Sequence, residues 1–298
     1  MTERQRKLAV LAVCLAALVL CTAAALLYQK RPSVPASPPP LTADVPVLVY
    51  HHVADEGYGD SVISPRRFEE HLNALAACGF TPVSVADMTA FVDTGKPLPP
   101  RPVLITFDDG YLSNYTAAYP LLLAHRFKAV FFAIGVSFGK DSYKDTGTAI
   151  IPHYGAKEAG IMRNSGLIEI GSHTYDMHQS ASLESGRVRD SVLRFADEPI
   201  GDYLRTLKDD FDRFEALYAD KIGGRVQALS YPHGLATDEA EREARLHGVR
   251  ATFTTLADGR NTLRKGDRTT LYRLYRITVM ETMSASDVLS MILERYGK

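Results

Sequence analysis

Tryptophan is absent from the 298-residue sequence, and cysteine occurs only three times. Cys14 and Cys21 both lie in an uncharged N-terminal stretch, which leaves Cys78 as the one cysteine in the rest of the chain. A disulfide-stabilised scaffold is therefore excluded, and about 250 residues are enough to bury a sizeable hydrophobic core instead. The composition, 46% hydrophobic and 23% charged, also excludes a disordered or collagen-like chain.

Clustered positive charge is likewise missing from most of the sequence. Residues 1–31 contain five Lys and Arg against one Glu, a balance of +4, whereas residues 32–298 contain 29 basic and 34 acidic residues, a balance of −5. Nucleic-acid binding depends on clustered Lys and Arg that displace counterions from phosphates. The mildly acidic body therefore argues against DNA or RNA as a partner.

The N-terminal stretch predicts a membrane anchor. Residues 8–28 are 21 consecutive uncharged residues with basic residues on both sides, and a helix of this length, at about 1.5 Å per residue, spans roughly 30 Å of hydrocarbon. A cleaved signal peptide is the alternative, because Thr-Ala-Ala-Ala at residues 22–25 resembles a cleavage site, but the apolar region of a signal peptide is usually shorter. Leu20 before Cys21 disfavours a lipoprotein signal. Basic residues at both ends barely decide the orientation.

This pattern divides the chain into three segments. Residues 1–31 form the anchor or signal segment, and residues 32–42 form a linker whose prolines favour a stiff, extended polyproline II geometry. Residues 43–298 form one domain of catalytic size, because no internal repeat divides them.

Apolar runs and amphipathic segments alternate along that domain. The predicted strands cover residues 45–49, 81–85, 103–107, 129–134, 167–171, 228–231, 250–254 and 272–279. Of the predicted helices, one begins at Ser64-Pro65 and the others cover residues 112–125, 204–218, 238–247 and 285–296. Pro120 is expected to kink the helix that contains it. Repeated βα units predict an α/β fold with a mainly parallel sheet, a (β/α) barrel in preference to an open doubly wound sheet.

Two adjacent carboxylates, Asp108 and Asp109, follow one of the predicted strands in the sequence Thr-Phe-Asp-Asp-Gly. Like charges this close raise one another's pKa unless a cation lies between them, and a metal ion would be such a cation. An ordinary Asp-Asp-Gly turn is the alternative, because Asp and Gly both favour turns.

A second polar cluster, Ser-His-Thr-Tyr-Asp-Met-His at residues 172–178, follows another predicted strand. Together with Asp109, neutral imidazoles at His173 and His178 would form a three-ligand set that leaves positions open for water and substrate, which is typical of catalytic zinc. A single histidine at such a place is more often a hydrogen-bonded residue without a chemical role. A pair of histidines beside an Asp pair favours a metal site.

Two further segments lie at strand ends. In Ser-Tyr-Pro-His-Gly at residues 230–234, the backbone N–H of Tyr231 is the predicted oxyanion donor, aimed by the proline turn. The first predicted strand ends in Tyr50-His51-His52, which provides a titratable group for general acid catalysis.

At these residues the chain resembles the polysaccharide deacetylase, or NodB-homology, family of carbohydrate esterases, over roughly residues 45–280. The resemblance implies a distorted (β/α) barrel in which Asp108 is the catalytic base and the Tyr231 backbone helps to form an oxyanion hole. It also implies that a divalent metal ion is bound by Asp109, His173 and His178. Zinc is the expected metal, with nickel, cobalt or iron as alternatives.

The chain departs from the usual family pattern in four respects. Four residues instead of three separate the paired histidines, the tryptophan motif is absent, and no histidine follows Asp258 to act as the acid. The arginine that orients the base is missing from its usual neighbourhood, which Ala228, Leu229 and Ser230 occupy.

These departures match one branch of the family, the biofilm poly-β-1,6-N-acetylglucosamine deacetylases, in which the motif order is circularly permuted and an N-terminal Tyr-His supplies the acid. Val-Leu-Val-Tyr-His at residues 47–51 fits that branch, and His51 is therefore the predicted acid. His52 has no assigned role. His153 and His233 are predicted to be structural or merely exposed, with substrate contact as the alternative.

The implied reaction is metal-assisted hydrolysis of acetamide groups on an extracellular N-acetylglucosamine polymer, with release of acetate. The expected partners are the polysaccharide and, through the N-terminal helix, a bacterial membrane. The domain would lie on the extracytoplasmic side, or be secreted if the signal is cleaved. Two other classes stay open: a catalytically silent glycan-binding module, favoured by the missing arginine, and an amidohydrolase acting on a non-sugar amide, favoured by the versatility of the fold.

Overall fold

The computed structural model describes Gln5 and residues 41–55, 61–256 and 259–297. The chain divides into two units, residues 1–39 and 40–298, and the second contains the fold described below. The predicted membrane segment at residues 8–28 and most of the predicted linker lie outside the described residues. Within the described ranges, no helix has both the length and the apolar character needed to cross a membrane.

Short strands alternate with helices in the described part of the chain, as the sequence predicts. The strands are β1 Thr42–Asp44, β2 Val47–Tyr50, β3 His52–Val53, β4 Val62–Ile63, β5 Thr81–Pro82, β6 Pro102–Phe107, β7 Ala129–Ala133, β8 Ile168–Ser172, β9 Ala228–Ser230, β10 Ala251–Thr254, β11 Thr262–Arg264, β12 Leu274–Tyr275 and β13 Ile277–Thr278. The helices are α1 Pro65–Ala77, α2 Val85–Thr94, α3 Tyr119–His125, α4 Ala156–Asn164, α5 Ile200–Lys221, α6 Asp238–Leu246 and α7 Ala285–Tyr296.

The main sheet is parallel and nearly closes on itself. Its strands lie in the order β12-β10-β9-β8-β7-β6-β2-β13, and β5 also pairs with β6. β12 and β13 stand at opposite ends of this order, yet a single residue, Arg276, separates them in the chain. The segment 274–278 therefore pairs with β10 on one side and with β2 on the other. The predicted α/β barrel is confirmed, as a nearly closed barrel of parallel strands.

Alternate strand residues pack into two clusters of buried side chains. The larger cluster lies between strands and helices, because it joins Ile105 and Phe131 to helix residues such as Phe68 and Leu207. The second cluster takes the intervening strand positions and is covered at one end of the barrel by α2. Its strand members include Val47, Leu104, Val130, Ala228 and Leu274. Two residues after Leu104, Ala228 and Leu274, on the same side of the sheet, the chain has buried polar residues: Thr106, Ser230 and Arg276.

Near α2, one strand is shorter than predicted and one helix was not predicted. The strand predicted at residues 81–85 ends at Pro82, and Val85 is already the first residue of α2, a helix that was not predicted. The Ser84 side chain accepts a hydrogen bond from the Asp87 N–H, and Asp87 accepts one from the Ser84 N–H. This reciprocal cap is the sequence signal that marks the helix start.

Two further differences arise from single residues inside predicted elements. The helix predicted at residues 112–125 consists of a wide turn at Asn114–Ala118 followed by α3. Because Pro120 has no N–H to donate, the ladder of hydrogen bonds shifts, and the Tyr119 N–H reaches the carbonyl of Asn114 five residues back. The strand predicted at residues 272–279 is interrupted at Arg276, where its pairing passes from β10 to β2.

Candidate active site and metal centre

Asp109, His173 and His178 converge at the carboxyl ends of β6 and β8. The three ligand atoms all lie within 4.8 Å of one another. Asp109 Oδ1 is 3.5 Å from Nε2 of His173 and 3.5 Å from Nε2 of His178. The two imidazole rings meet edge to face, with 5.1 Å between their centroids. The structure thus brings together all three of the predicted metal ligands.

The surroundings of these atoms fit a divalent cation. Asp109 Oδ1 is buried, and no described residue forms a hydrogen bond with it. His173 Nδ1 lies 2.8 Å from the Ser230 carbonyl, so the ring donates there and keeps the Nε2 lone pair for a ligand bond. Burial, together with the neighbouring His173, lowers the pKa of His178 to about 4, so the His178 ring is neutral near pH 7. One carboxylate and two imidazoles are a donor set typical of zinc.

A sharp turn after β6 sends the two adjacent carboxylates to different partners. Asp109 has φ of 69° and Gly110 has φ of 81°, so both residues occupy the left-handed region. A Cβ at position 110 would lie 3.1 Å from the Cα of Ala133, which is why glycine suits this position. Asp108 therefore continues the strand, whereas Asp109 faces the two histidines.

Asp108, which is 3% exposed, is held by a buried arginine. Two nitrogens of Arg276 donate to the two carboxylate oxygens at 2.7 Å each, and Ser230 Oγ donates to Oδ2 at 3.1 Å. Burial by itself would raise the pKa of Asp108, but the Arg276 guanidinium, helped by His173, holds that pKa below its usual range. Asp108 is therefore ionised and fixed in orientation.

The arginine that is missing from the neighbourhood of Ser230, as predicted, is replaced by one from elsewhere in the chain. Arg276 takes that position from the segment that closes the barrel, 168 residues after Asp108, instead of from the strand before Ser230. It is 1% exposed and stands between Tyr275 and Ile277. A charged residue flanked by apolar residues in a predicted strand was the available sequence signal, since a buried arginine needs an acidic partner.

A cavity of about 870 Å³ opens onto these residues. His51, the predicted acid, lines the cavity together with Asp108 and Asp109, and among the described residues its Nδ1 has no hydrogen-bond partner. Burial would raise the pKa of Asp109, but nearby His51 and then His178 act against it and leave the pKa lowered. His51 therefore lies within electrostatic reach of the metal ligands.

Three further histidines named in the sequence analysis, His52, His153 and His233, differ in their position relative to the cavity. His52 lies outside the lining, and its Nδ1 is 2.7 Å from Ser113 Oγ. His153 lines the cavity, and burial lowers its pKa although Asp109 acts in the opposite direction. His233 is exposed and lines the cavity, and its ring meets the ring of His178 edge to face at 4.7 Å.

The Tyr231 backbone does not offer the predicted oxyanion donor. Its N–H donates to the Phe253 carbonyl at 3.1 Å, because pairing with β10 continues through this residue before the proline turn begins. Its buried phenol donates to Glu241 at 3.1 Å. Two residues later, His233 has φ of 54° and lines the cavity, and no carbonyl in the described residues accepts its N–H. The turn therefore leaves the His233 N–H, not the Tyr231 N–H, available to a ligand.

Comparison with known proteins places this arrangement in a family. The polysaccharide deacetylase family model matches residues 95–252, just over half of the chain. The poly-beta-1,6-N-acetyl-D-glucosamine N-deacetylase of Escherichia coli (strain K12) is 28% identical over 222 residues, which are 70% of this chain and 33% of that protein. The chain thus spans about a third of the length of this relative.

Two solved structures share the fold. A de-N-acetylase from Aggregatibacter actinomycetemcomitans superimposes with a TM-score of 0.70 and 23% identity, over 83% of this chain and 99% of that chain. IcaB from Ammonifex degensii superimposes with a TM-score of 0.66 and 26% identity, over 83% and 96% of the two chains.

The matched residues include Asp108, Asp109, both ligand histidines and the turn at residues 230–234. His51 and Arg276 lie outside them, His51 directly after β2 and Arg276 directly before β13, and these two strands pair with each other. On the strength of this match, the chain belongs to the polysaccharide deacetylase family of hydrolases.

Proposed function

We propose that this protein hydrolyses the acetamide groups of an extracellular N-acetylglucosamine polysaccharide, first of all poly-β-1,6-N-acetylglucosamine, and releases acetate. The observation that carries the proposal is an ionised carboxylate, Asp108, fixed by Arg276 beside three convergent metal-ligand atoms. The polymer is suggested by the printed name of the Escherichia coli relative, poly-beta-1,6-N-acetyl-D-glucosamine N-deacetylase.

The base and the metal site depend on each other. A divalent cation held by Asp109, His173 and His178, zinc by the character of the donors, would polarise the acetamide carbonyl and acidify a water molecule. Asp108 is the base in this proposal and would accept a proton from the attacking water. The Arg276 guanidinium lowers the pKa of Asp108 and so keeps this carboxylate ionised and able to accept a proton. Asp108 Oδ2 lies 3.9 Å from His173 Nε2, so the base is adjacent to the metal ligands.

His51 and the His233 backbone complete the reaction in this proposal. His51 lines the cavity beside Asp108 and Asp109, and in this proposal its ring gives a proton to the leaving nitrogen. The His233 N–H would stabilise the oxyanion of the tetrahedral intermediate, the role predicted from the sequence for Tyr231. The product is acetate and a glucosamine unit.

The cavity wall suits a sugar chain. Tyr143, Ile151 and Leu183 give it apolar surface against which sugar rings can pack. Gln179 and Asp190 add polar groups that can bond hydroxyl groups, or the amine of a unit that has already lost its acetyl group. Because such polymers are exported, we further propose that the domain lies outside the cell and that residues 8–28 hold it at the membrane.

The alternative of a catalytically silent glycan-binding module depended on the absence of an arginine beside the base. Arg276 removes that reason. An amidohydrolase acting on a non-sugar amide has no specific observation in its favour, and the experiment below tests it directly.

The test is acetate release by the full-length protein in detergent from matched oligomers of β-1,6- and β-1,4-linked N-acetylglucosamine and from an acetylated peptide. We expect release from the β-1,6 oligomer, loss of activity with a chelator and recovery with Zn²⁺. An Asp109→Ala variant is the control for contaminating hydrolases. Absence of acetate from every glycan with the Zn²⁺-loaded protein would refute the proposal, and faster release from the peptide would favour the non-sugar alternative.

A further inference from the structure

The segment between the two ligand histidines has an unfavourable backbone conformation. Thr174 has φ of 68°, in the left-handed region that β-branched residues rarely occupy. Four residues separate His173 from His178, so the conformation of this short segment decides where the second imidazole lies relative to the first. A strained conformation persists only where contacts outside the segment hold it.

Two consecutive peptide groups of this segment are hydrogen-bonded on both sides. The carbonyls of Thr174 and Tyr175 accept from the N–H groups of residues 135 and 136, at 3.0 and 2.8 Å. The N–H groups of Tyr175 and Asp176 donate to the carboxylate of Asp210, to Oδ1 at 2.8 Å and to Oδ2 at 2.7 Å. The segment is thus held between a turn on one side and a single carboxylate on the other.

That carboxylate comes from the buried face of α5. Asp210 is 6% exposed and is followed on this face by Phe211 and Phe214. Burial raises its pKa to about 6, although the two peptide N–H groups act in the opposite direction. Burying a carboxylate in a helix of this kind is costly, and an apolar side chain would suit the core better. The contact that compensates for this cost is the one with residues 175 and 176.

We propose that Asp210 is a positioning residue for the metal centre, which fixes the two peptide groups between His173 and His178 and thereby sets the separation of their imidazoles. The inference rests on the proposed metal-dependent function. Without Asp210, Thr174 can relax toward its preferred conformation, and a bound cation would have to draw the two rings back together. Residues that orient metal ligands in this way typically change metal affinity by about 10–100-fold when they are replaced.

The test is Co²⁺ binding to the metal-free full-length protein. A titration gives the Kd, and the visible absorption of the bound ion reports the geometry of its ligands. Asp210→Asn has nearly the same volume but replaces one acceptor oxygen by a donor, so one peptide N–H loses its partner. We expect its Kd for Co²⁺ to rise by about 10–100-fold and the absorption spectrum to change. The matched control is Asp209→Asn, the same substitution at the next, exposed position of α5, which should bind Co²⁺ as the wild type does.

A second measurement separates positioning from a general effect on stability. The Tm of each protein is measured without metal and with saturating Co²⁺. If Asp210 positions the ligands, Asp210→Asn should reduce the increase in Tm that Co²⁺ produces. If it only stabilises the fold, both Tm values should fall equally while Kd and spectrum stay those of the wild type, and that result would overturn the proposal.

A second variant changes the turn that contacts the same segment on the side opposite Asp210. A Cβ at position 135 would lie 2.5 Å from Cδ2 of Tyr175, so Gly135→Ala should displace the segment without touching Asp210 and should also weaken Co²⁺ binding. This variant decides the matter if Asp210→Asn does not fold. Absence of Co²⁺ binding by the wild type would refute the proposed function and this inference together, whereas equal binding by wild type and both variants would refute the inference alone.

Discussion

At the scale of single residues, the two adjacent carboxylates differ in what they contact. Asp108 is bonded to Arg276 and Ser230, and Asp109 faces the two imidazoles. The sequence predicted both carboxylates and both ligand histidines, because each pair belongs to a short motif at the end of an apolar strand. It could not reveal Arg276, because that contact depends on how the last strand closes the barrel.

We predict that Asp108→Asn separates chemistry from metal binding. Asparagine keeps the shape of the side chain but cannot accept the proton, so turnover should fall by about 10²–10⁴-fold. The metal content, measured on the purified variant, should stay near that of the wild type. Asp109→Asn is the matched change one residue later and should lose metal. Equal metal loss in both variants would show that the two roles are divided wrongly.

Replacement of Arg276 by Met should change the pH dependence of the reaction. The guanidinium holds the pKa of Asp108 below its usual range, and its loss leaves burial to raise that pKa. Ionised Asp108 is the active form, so the acidic limb of the kcat/KM profile should move to higher pH. Breaking a buried ion pair also costs about 3–5 kcal/mol of stability, which denaturant unfolding would measure. Arg273→Met, an exposed arginine in the same part of the chain, should leave the acidic limb in place.

The role of His51 can be tested through the leaving group. If His51 protonates the leaving nitrogen, His51→Ala should retain Co²⁺ and substrate binding but lose turnover on acetamides. The loss should be much smaller on an activated aryl acetate, because its phenolate leaves without a proton. His52→Ala is the neighbouring control, since His52 contacts Ser113 outside the cavity lining. This variant should change turnover of the acetamide and of the aryl acetate by the same factor. Wild-type turnover of glycan acetamides by His51→Ala would exclude this acid.

At the scale of helices and strands, local sequence predicted best where one signal was strong. The apolar runs of β6 and β7 and the amphipathic face of α5 were recognised because their residues repeat with the period of the element. The start of α2 was missed because the apolar residues at 83 and 85 extend the pattern of β5, although Ser84 and Asp87 cap a helix. The interruption between β12 and β13 was not predictable locally, because it depends on which strands lie on either side.

The contact between α5 and α6 supplies a prediction about stability. His247, at the end of α6, lies 3.0 Å from Asp212 Oδ1 on α5 and 3.0 Å from the Glu243 carbonyl. Burial would lower the pKa of His247, but the Asp212 carboxylate and Glu243 raise it above its ordinary value. A raised histidine pKa contributes stability that is complete below the pKa of the unfolded chain, about 6.5, and is lost as the pH rises through the folded value.

Urea unfolding of the wild type and of His247→Gln at several pH values would measure this contribution. The free energy of unfolding of the wild type should exceed that of the variant by more at pH 5.5 than at pH 8.5. Asp212→Asn should abolish most of this pH dependence while leaving the histidine in place. A difference between wild type and variant that stays constant over this range would contradict the assignment.

At the scale of the whole molecule, the two ends of the domain meet beside the active site. β2, near the N-terminal end, is followed by His51, and it pairs with β13, which follows Arg276. The predicted acid and the partner of the base thus come from opposite ends of the domain sequence and lie next to two paired strands, β2 and β13. A prediction made from single motifs could identify His51, because its motif lies within one segment, but not Arg276, because its contact joins two distant segments. The same N-terminal end continues into the linker, which brings the active domain close to the predicted anchor in sequence.

The anchor itself is the last prediction. Residues 8–28 carry no charge, so the full-length protein expressed in bacteria should sediment with membranes and resist extraction by alkaline carbonate, whereas residues 43–298 should be recovered in the soluble fraction. Leu18→Arg places a charge near the middle of the segment, which disfavours insertion by about 2.5–3.5 kcal/mol, and should move protein from the membrane to the soluble fraction. Leu41→Arg is the matched control outside the segment and should sediment as the wild type does. If expression of the full-length sequence yields soluble protein whose N-terminus is trimmed after about residue 25, the segment is a cleaved signal peptide instead.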